Sequence, residues 1–281
     1  MSERDPDRDY LEINRANWDS RVPLHLEGYD LDRLRMDASE ISRVVEFDLP
    51  LLGEVRGLRG VHFQCHIGSD TVSLARLGAE MAGVDLSPAS LAAARSLAAE
   101  LGLAIPFIES DVYAAPSALV DAGVELGFDF VYTGVGALCW LPKVEPWAKA
   151  AAEVLRPGGF LFIRDAHPMM MTIEEARGDG LLVVAYDYFE GPGLYLEEEQ
   201  TYAGEGKVSS PGNVTFNHSF AEIFKALSGN GLDIELFEEH QTAPWNAFGD
   251  VEELIPGTDE WQLRQRPRRM PKTFSLRAVK R

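Results

Sequence analysis

The sequence predicts an α/β fold, a parallel sheet with helices on both of its faces. Three observations carry that expectation. From residue 61 onward, short apolar runs alternate with stretches of helical spacing. One run, 160–164, is nearly all apolar, as a strand buried on both faces must be. Helix boundaries are marked chemically: Ser87-Pro88 opens one and Gly102 closes it.

Each element follows in order. Residues 1–9 are charged and expected to fray. Leu11, Asn14, Trp18 and Val22 recur at helical spacing and predict a helix over 10–22, with a second over 38–47. A strand at 61–65 leads to a helix at 69–77 that Gly78 ends, then a strand at 80–84 and the helix from Ser87 to 101. Strands are expected at 105–108 and 128–132, a helix at 144–155, a Pro157-Gly158-Gly159 turn and the strand at 160–164. Residues 168–215 break the rhythm. Apolar runs at 181–189 and 194–202, joined by glycine-rich links, predict an antiparallel insertion that caps the substrate or forms a homodimer contact. A helix at 219–227 and two closing strands, 232–237 and 273–279, complete the chain. The implied organisation is a helical lid at 1–50, a core at 51–167 and 216–281, and the insertion at 168–215.

Composition narrows the function. The 281 residues are 46% hydrophobic and 25% charged, enough to pack a core. A net charge of −19 repels nucleic acid and anionic membrane surfaces, and the Arg264, Arg266, Arg268 and Arg269 cluster reads as a solvated loop. No run approaches a membrane span, the N-terminus has no signal-peptide core, and Cys65 and Cys139 fit a reduced, cytoplasmic setting. There is no C-x-x-C, and no metal is expected.

Open α/β sheets bind ligands beyond the carboxyl ends of their strands. Four strand ends here carry suitable groups. The first reads Gln64-Cys65-His66-Ile67-Gly68-Ser69-Asp70-Thr71, in which Gly68 permits close backbone approach. The second reads Asp85-Leu86-Ser87, an acid placed to accept ribose hydroxyls while Ser87 caps the helix. The third offers Asp111 and Val112 for an adenine ring. The fourth runs Thr133-Gly134-Val135-Gly136, with Trp140 either on the cleft or in the core.

Together these four turns resemble the class I S-adenosylmethionine-dependent methyltransferases, over roughly residues 60–164. The form His62-Phe-Gln-Cys-His-Ile-Gly68 is similar to a small-molecule subgroup with a Q-C-H-x-G variant of the first motif, in which only Gly68 of the usual glycines survives. The resemblance implies a seven-stranded Rossmann-like sheet with its last strand antiparallel, a place that 273–279 fits. It implies S-adenosylmethionine as cofactor. Asp85 would hold the ribose, with Leu86 and Ser87 beside it, Asp111 and Val112 the adenine, and Thr133 would lie near the methionine part. Gln64 and His66, followed by Gly68, Asp70 and Thr71, would add side-chain hydrogen bonds where glycines offer only backbone. The first helix resembles a lid, with Trp18 placed to face a sulfonium. His25 and Tyr29 follow at the entrance, either touching substrate or, as the expected placement, on the surface.

The implied activity is methyl transfer to an O, N or C nucleophile of a small molecule, with His167 and His218 as candidate bases and Asp165 either orienting one or capping a turn. Alternatives are a cofactor-binding protein of the same fold with a regulatory role, or one that rearranges or decarboxylates its substrate. A nicotinamide dehydrogenase would require G-x-G-x-x-G after the first strand, which is absent.

Overall fold

In the computed structural model, residues 6–174, 177 and 179–281 are described, so residues 1–5 of the charged N-terminus lie outside the described residues. The chain opens with helices α1 (Pro6–Gly28), α2 (Leu31–Met36) and α3 (Arg43–Leu52). Strands β1 (Arg59–Phe63), β2 (Glu80–Asp85), β3 (Phe107–Glu109), β4 (Phe128–Thr133) and β5 (Leu155–Ala166) alternate with helices α4 (Ser69–Arg76), α5 (Pro88–Glu100), α6 (Ala115–Asp121) and α7 (Val144–Val154). A short pair, β6 (Leu194–Glu197) and β7 (Gly212–Thr215), precedes α8 (Phe220–Gly229). Then come β8 (Leu232–His240), the small β9 (Glu252–Leu254) and β10 (Trp261–Leu263), and β11 (Thr273–Lys280).

The main sheet has seven strands in the order β3-β2-β1-β4-β5-β11-β8. Strands β1 to β5 pair in parallel, and β11 runs antiparallel to both β5 and β8. The order reverses between β1 and β4, which opens a crevice at their carboxyl ends. The two faces follow the strand period of two. Val61, Phe63 and Val131 pack against α6, α7 and α8, while Phe130 and Tyr132 pack toward α3 and α4. Trp147 on α7 is fully buried in the first layer.

Several boundaries differ from expectation for physical reasons. Helix α1 continues past Val22 to Gly28, through Pro23, because buried Arg21 and His25 find partners on other elements. Helix α3 starts after Ser42, whose hydroxyl accepts the Val45 N–H at 3.2 Å, later than the expected residue 38. It also runs through residue 50 into the core layer, with Leu52 fully buried. The Pro157-Gly158-Gly159 turn lies inside β5 as a break in register: Phe128 pairs with Leu155, and Phe130 with Phe160. Of the expected strand at 181–189 only a bridge from Val184 to Ile173 forms. Residues 212–215, which follow the glycine-rich link read from Gly204 to Gly212 and were assigned to no strand, form β7, the partner of β6. The β9–β10 hairpin was not anticipated.

Candidate active site

The turn after β1 is built on left-handed backbone. Gln64 has φ +58°, His66 +46° and Gly68 +78°. For non-glycine residues that conformation costs about 1–2 kcal/mol each, so the side chains must offset it. Gln64 Nε2 donates to the Ala137 carbonyl at 2.9 Å. The His66 N–H donates to Asp85 Oδ2 at 2.8 Å. Its ring nitrogens engage two further elements: Nδ1 lies 2.9 Å from Ser90 Oγ on α5, and Nε2 lies 2.8 Å from His25 Nδ1 on α1. Gly68 is required by packing. A Cβ there would sit 2.8 Å from Ala94 Cβ of α5, and the residue does not line the cavity.

A cavity opens over this turn. Asp85 reaches it from the end of β2, Asp111 and Val112 from the end of β3, and Gly134 to Ala137 from the loop after β4. Asp85 is held by two backbone donors, Ser87 N–H on Oδ1 and His66 N–H on Oδ2, both at 2.8 Å. Burial nevertheless pushes its carboxyl up to about 6. Asp111 caps the turn Val112–Ala114 by accepting the Tyr113 and Ala114 N–H groups at 2.9 and 3.2 Å. Asp70 and Leu86 also line the cavity, and burial raises the Asp70 carboxyl.

Other sequence-nominated residues stand behind this wall. Ser87 is fully buried, caps α5 by accepting the Ser90 N–H at 3.0 Å, and donates to Asp19 at 2.6 Å. Thr71 Oγ1 lies 2.8 Å from His62 Nδ1, beneath the surface. Thr133 is buried with an unpaired hydroxyl, one residue before Gly134 of the wall. His62, the first residue of the His62–Gly68 motif and not nominated as a site residue, lines the cavity. Its Nε2 is buried without a partner, and burial lowers its pKa to about 3. His62 and His66 stand four residues apart, a spacing that binds metal on a helix. Here one side chain sits on a strand and the other in a turn, with different partners, and among the described residues no three potential ligands cluster for a metal.

The face of α1 over the cavity is aromatic. Trp18 meets His66 edge-on at 4.8 Å and Trp140 at 5.2 Å. Trp140 Nε1 donates to the Gly136 carbonyl at 2.7 Å, so it walls the cavity from the loop after β4. Asp165 holds that loop. Its carboxylate accepts the N–H groups of Gly136, Ala137, Leu138 and Ala166 at 2.7–3.1 Å, which makes it a turn cap. Helix α1 is tied to the 168–215 segment: Asn14 exchanges two hydrogen bonds with the Val214 backbone, and Asn17 donates to the Ser210 carbonyl. Arg21 reaches Glu198 at 3.2 Å, a further tie between α1 and that segment.

Neither His167 nor His218, the candidate bases, lines this cavity. His167 Nδ1 accepts the Met169 N–H at 3.0 Å and Nε2 lies 2.7 Å from Glu239 on β8. The antiparallel packing of β11 and β8 beside β5 draws it there. His218 is pinned between the Leu141 carbonyl at 2.8 Å and Glu190 at 3.1 Å. Burial lowers the pKa of both, with Glu239 and Glu190 opposing.

His25 was expected at the surface. It is fully buried, and its Nε2 lies 2.6 Å from Thr201 Oγ1. Tyr29 and Tyr202, whose hydroxyls meet at 2.7 Å, close the rim beside it. The available signal was spacing: Trp18, His25 and Tyr29 follow at intervals of seven and four, one stripe of a helix.

Comparison with known proteins follows the same lines. Residues 61–161 match the methyltransferase domain family. The ubiquinone biosynthesis O-methyltransferase of Cupriavidus pinatubonensis is 35% identical over 118 residues, covering 40% of this chain and 45% of its own length. That of Cereibacter sphaeroides is 30% identical over 141 residues, covering 50% and 53%. The chain thus spans about half the length of these curated relatives. The crystal structure of magnesium protoporphyrin IX methyltransferase from Synechocystis PCC 6803 with bound SAH superposes with a TM-score of 0.55 at 16% identity, over 97% of this chain and 100% of that one. Residues 61–161 thus match the methyltransferase domain family, and the chain shares the fold of the Synechocystis methyltransferase structure.

Proposed function

We propose that the chain transfers the methyl group of S-adenosylmethionine to an oxygen, nitrogen or carbon nucleophile of a small organic molecule. The observation that carries this reading is the composition of one cavity. Three carboxylates, Asp70, Asp85 and Asp111, line it with no lysine or arginine among the lining residues. A wall of that charge suits a ligand of net positive charge, and the unpaired buried atoms His62 Nε2 and Gln64 Oε1 await polar partners. Asp85 would accept the ribose hydroxyls, Asp111 with the Val112 backbone would take the adenine, and Trp18 would lie against the sulfonium side. Gly68, Thr71, Ser87 and Thr133 would support this from behind the wall.

When bound, the cofactor supplies an electrophilic methyl group. The chain's part is alignment and exclusion of water, which can supply several kcal/mol. Helix α1 and the 168–215 segment cover the cavity through the Asn14, Asn17 and Arg21 contacts. The imidazoles on the wall, His62 and His66, are kept neutral and weakly basic by burial. This favours an acceptor that needs little help in losing a proton. The names of the two curated relatives favour oxygen as the atom methylated.

The test is incubation of the protein with methyl-labelled S-adenosylmethionine and a metabolite extract. Label should appear in a small-molecule product. Turnover with the label retained on the cofactor would instead support rearrangement or decarboxylation. Binding without turnover of any kind would support a regulatory role.

A further inference from the structure

His25 is joined to the cofactor turn by a direct imidazole–imidazole contact, 2.8 Å from His25 Nδ1 to His66 Nε2. The contact belongs to a continuous chain: Ser90 Oγ, His66, His25 and Thr201 Oγ1, with links of 2.9, 2.8 and 2.6 Å. It ties α5, the turn after β1, the lid helix and the 168–215 segment together in one line. With both rings neutral, two proton arrangements satisfy every link. Either Ser90 donates inward and the chain ends on Thr201, or the order reverses. His25 has no exposed surface, so its ring does not lose a partner to solvent without cost.

The far end of the chain reaches the ligand wall. His66 holds left-handed backbone at φ +46°, and its N–H donates to Asp85 Oδ2. Rotation of the His66 backbone would withdraw that donor from Oδ2 and leave the Ser87 N–H on Oδ1 as the main anchor of Asp85. We propose that His25 is a positioning residue: by holding the His66 ring it keeps the strained turn in place and thereby orients the Asp85 carboxylate for the ribose. The inference rests on the cofactor reading above. It assigns a role to the lid beyond covering the cavity, since ring position at His25 and carboxylate position at Asp85 become one variable.

The test is calorimetric titration of the full chain with S-adenosylmethionine. His25→Leu keeps apolar bulk and removes both ring contacts; it should raise Kd about tenfold, as a coupled pair of contacts does. His25→Asn places an amide where Nδ1 stood and retains the link to His66. His25→Gln retains reach toward Thr201 instead. Asn should therefore bind more tightly than Gln, whereas a space-filling role would rank Gln and Leu above Asn. In a His66→Gly background, whose backbone is relaxed, His25→Leu should add nothing further. At saturating cofactor, His25→Leu should turn over near the wild-type kcat, with the loss confined to KM for the cofactor. Wild-type affinity in His25→Leu, a Gln variant tighter than the Asn variant, or an undiminished His25→Leu effect in the His66→Gly background overturns the positioning role alone. Wild-type protein that takes up no cofactor overturns the cofactor reading and this inference with it.

Discussion

Asp85 shows how one side chain links folding to binding. Burial raises its carboxyl from the ordinary 3.8 to about 6, because removing charge from water outweighs the two backbone N–H donors that favour it. The signs for binding and folding are opposite. In the proposed role, acceptance of ribose hydroxyls needs the ionised form, so cofactor affinity should fall as pH drops through about 6. For folding, a raised carboxyl binds its proton more readily in the native state, so this group's contribution rises as pH falls through the same window. Titrations from pH 8 to pH 5 should show the affinity loss. In Asp85→Asn that slope should disappear, with affinity at pH 8 reduced about tenfold or more, as expected for loss of charged hydrogen bonds. Gly68 makes the contrasting case. Its missing Cβ faces Ala94 and Phe107 and not the cavity. Gly68→Val should therefore destabilise the fold, by on the order of 3 kcal/mol from left-handed strain plus overpacking. Urea denaturation would measure it, and a variant as stable as wild type would refute the packing role.

Between elements, the site depends on short polar clamps. Asp165, at the end of β5, gathers four N–H groups and so shapes the loop that presents Trp140 to the cavity. Asp165→Asn turns a donor toward the Leu138 N–H and should cost about 1–3 kcal/mol of stability. Because Trp140 rides on that loop, turnover should fall more than cofactor affinity; equal losses in both would argue that the loop serves the cofactor alone. Asn14 plays a comparable part for β7. Its side-chain amide both donates to and accepts from Val214, imitating a neighbouring strand on an edge that β6 leaves open.

Across the whole molecule, the region between β8 and β11 is stabilised by buried charge. Lys272 and Glu252 form a fully buried pair at 2.5 Å, and Glu252 also accepts the Ala247 and Phe248 N–H groups. Nearby, fully buried Arg164 pairs with Glu260 at 2.7 Å and stacks on Phe47, 3.6 Å from the ring centre. Breaking such a pair leaves an uncompensated charge. Lys272→Met should cost about 3–5 kcal/mol, and the Lys272→Met, Glu252→Gln double variant should recover part of that. Chemical denaturation of the two proteins would decide it, since a double variant no more stable than the single one would contradict the account.

The sequence by itself determined the sheet, its helices and the two acids at the ends of β2 and β3. These are local: apolar alternation marks each strand, Asp85 closes β2, and Asp111 caps the turn just after β3. The antiparallel last strand was legible through resemblance. What only tertiary structure decided are contacts between distant segments. His25 and His66 are 41 residues apart, and nothing near either of them signals that their rings meet. His167 follows a strand that ends at the crevice, yet pairing of β11 between β5 and β8 turned its ring to Glu239. Residues 212–215 are rich in loop formers and became a strand because β6 and Asn14 supplied the missing hydrogen bonds. Local pattern reflects the backbone's preference within a few residues, whereas a buried polar group takes the partner that the folded chain brings within reach.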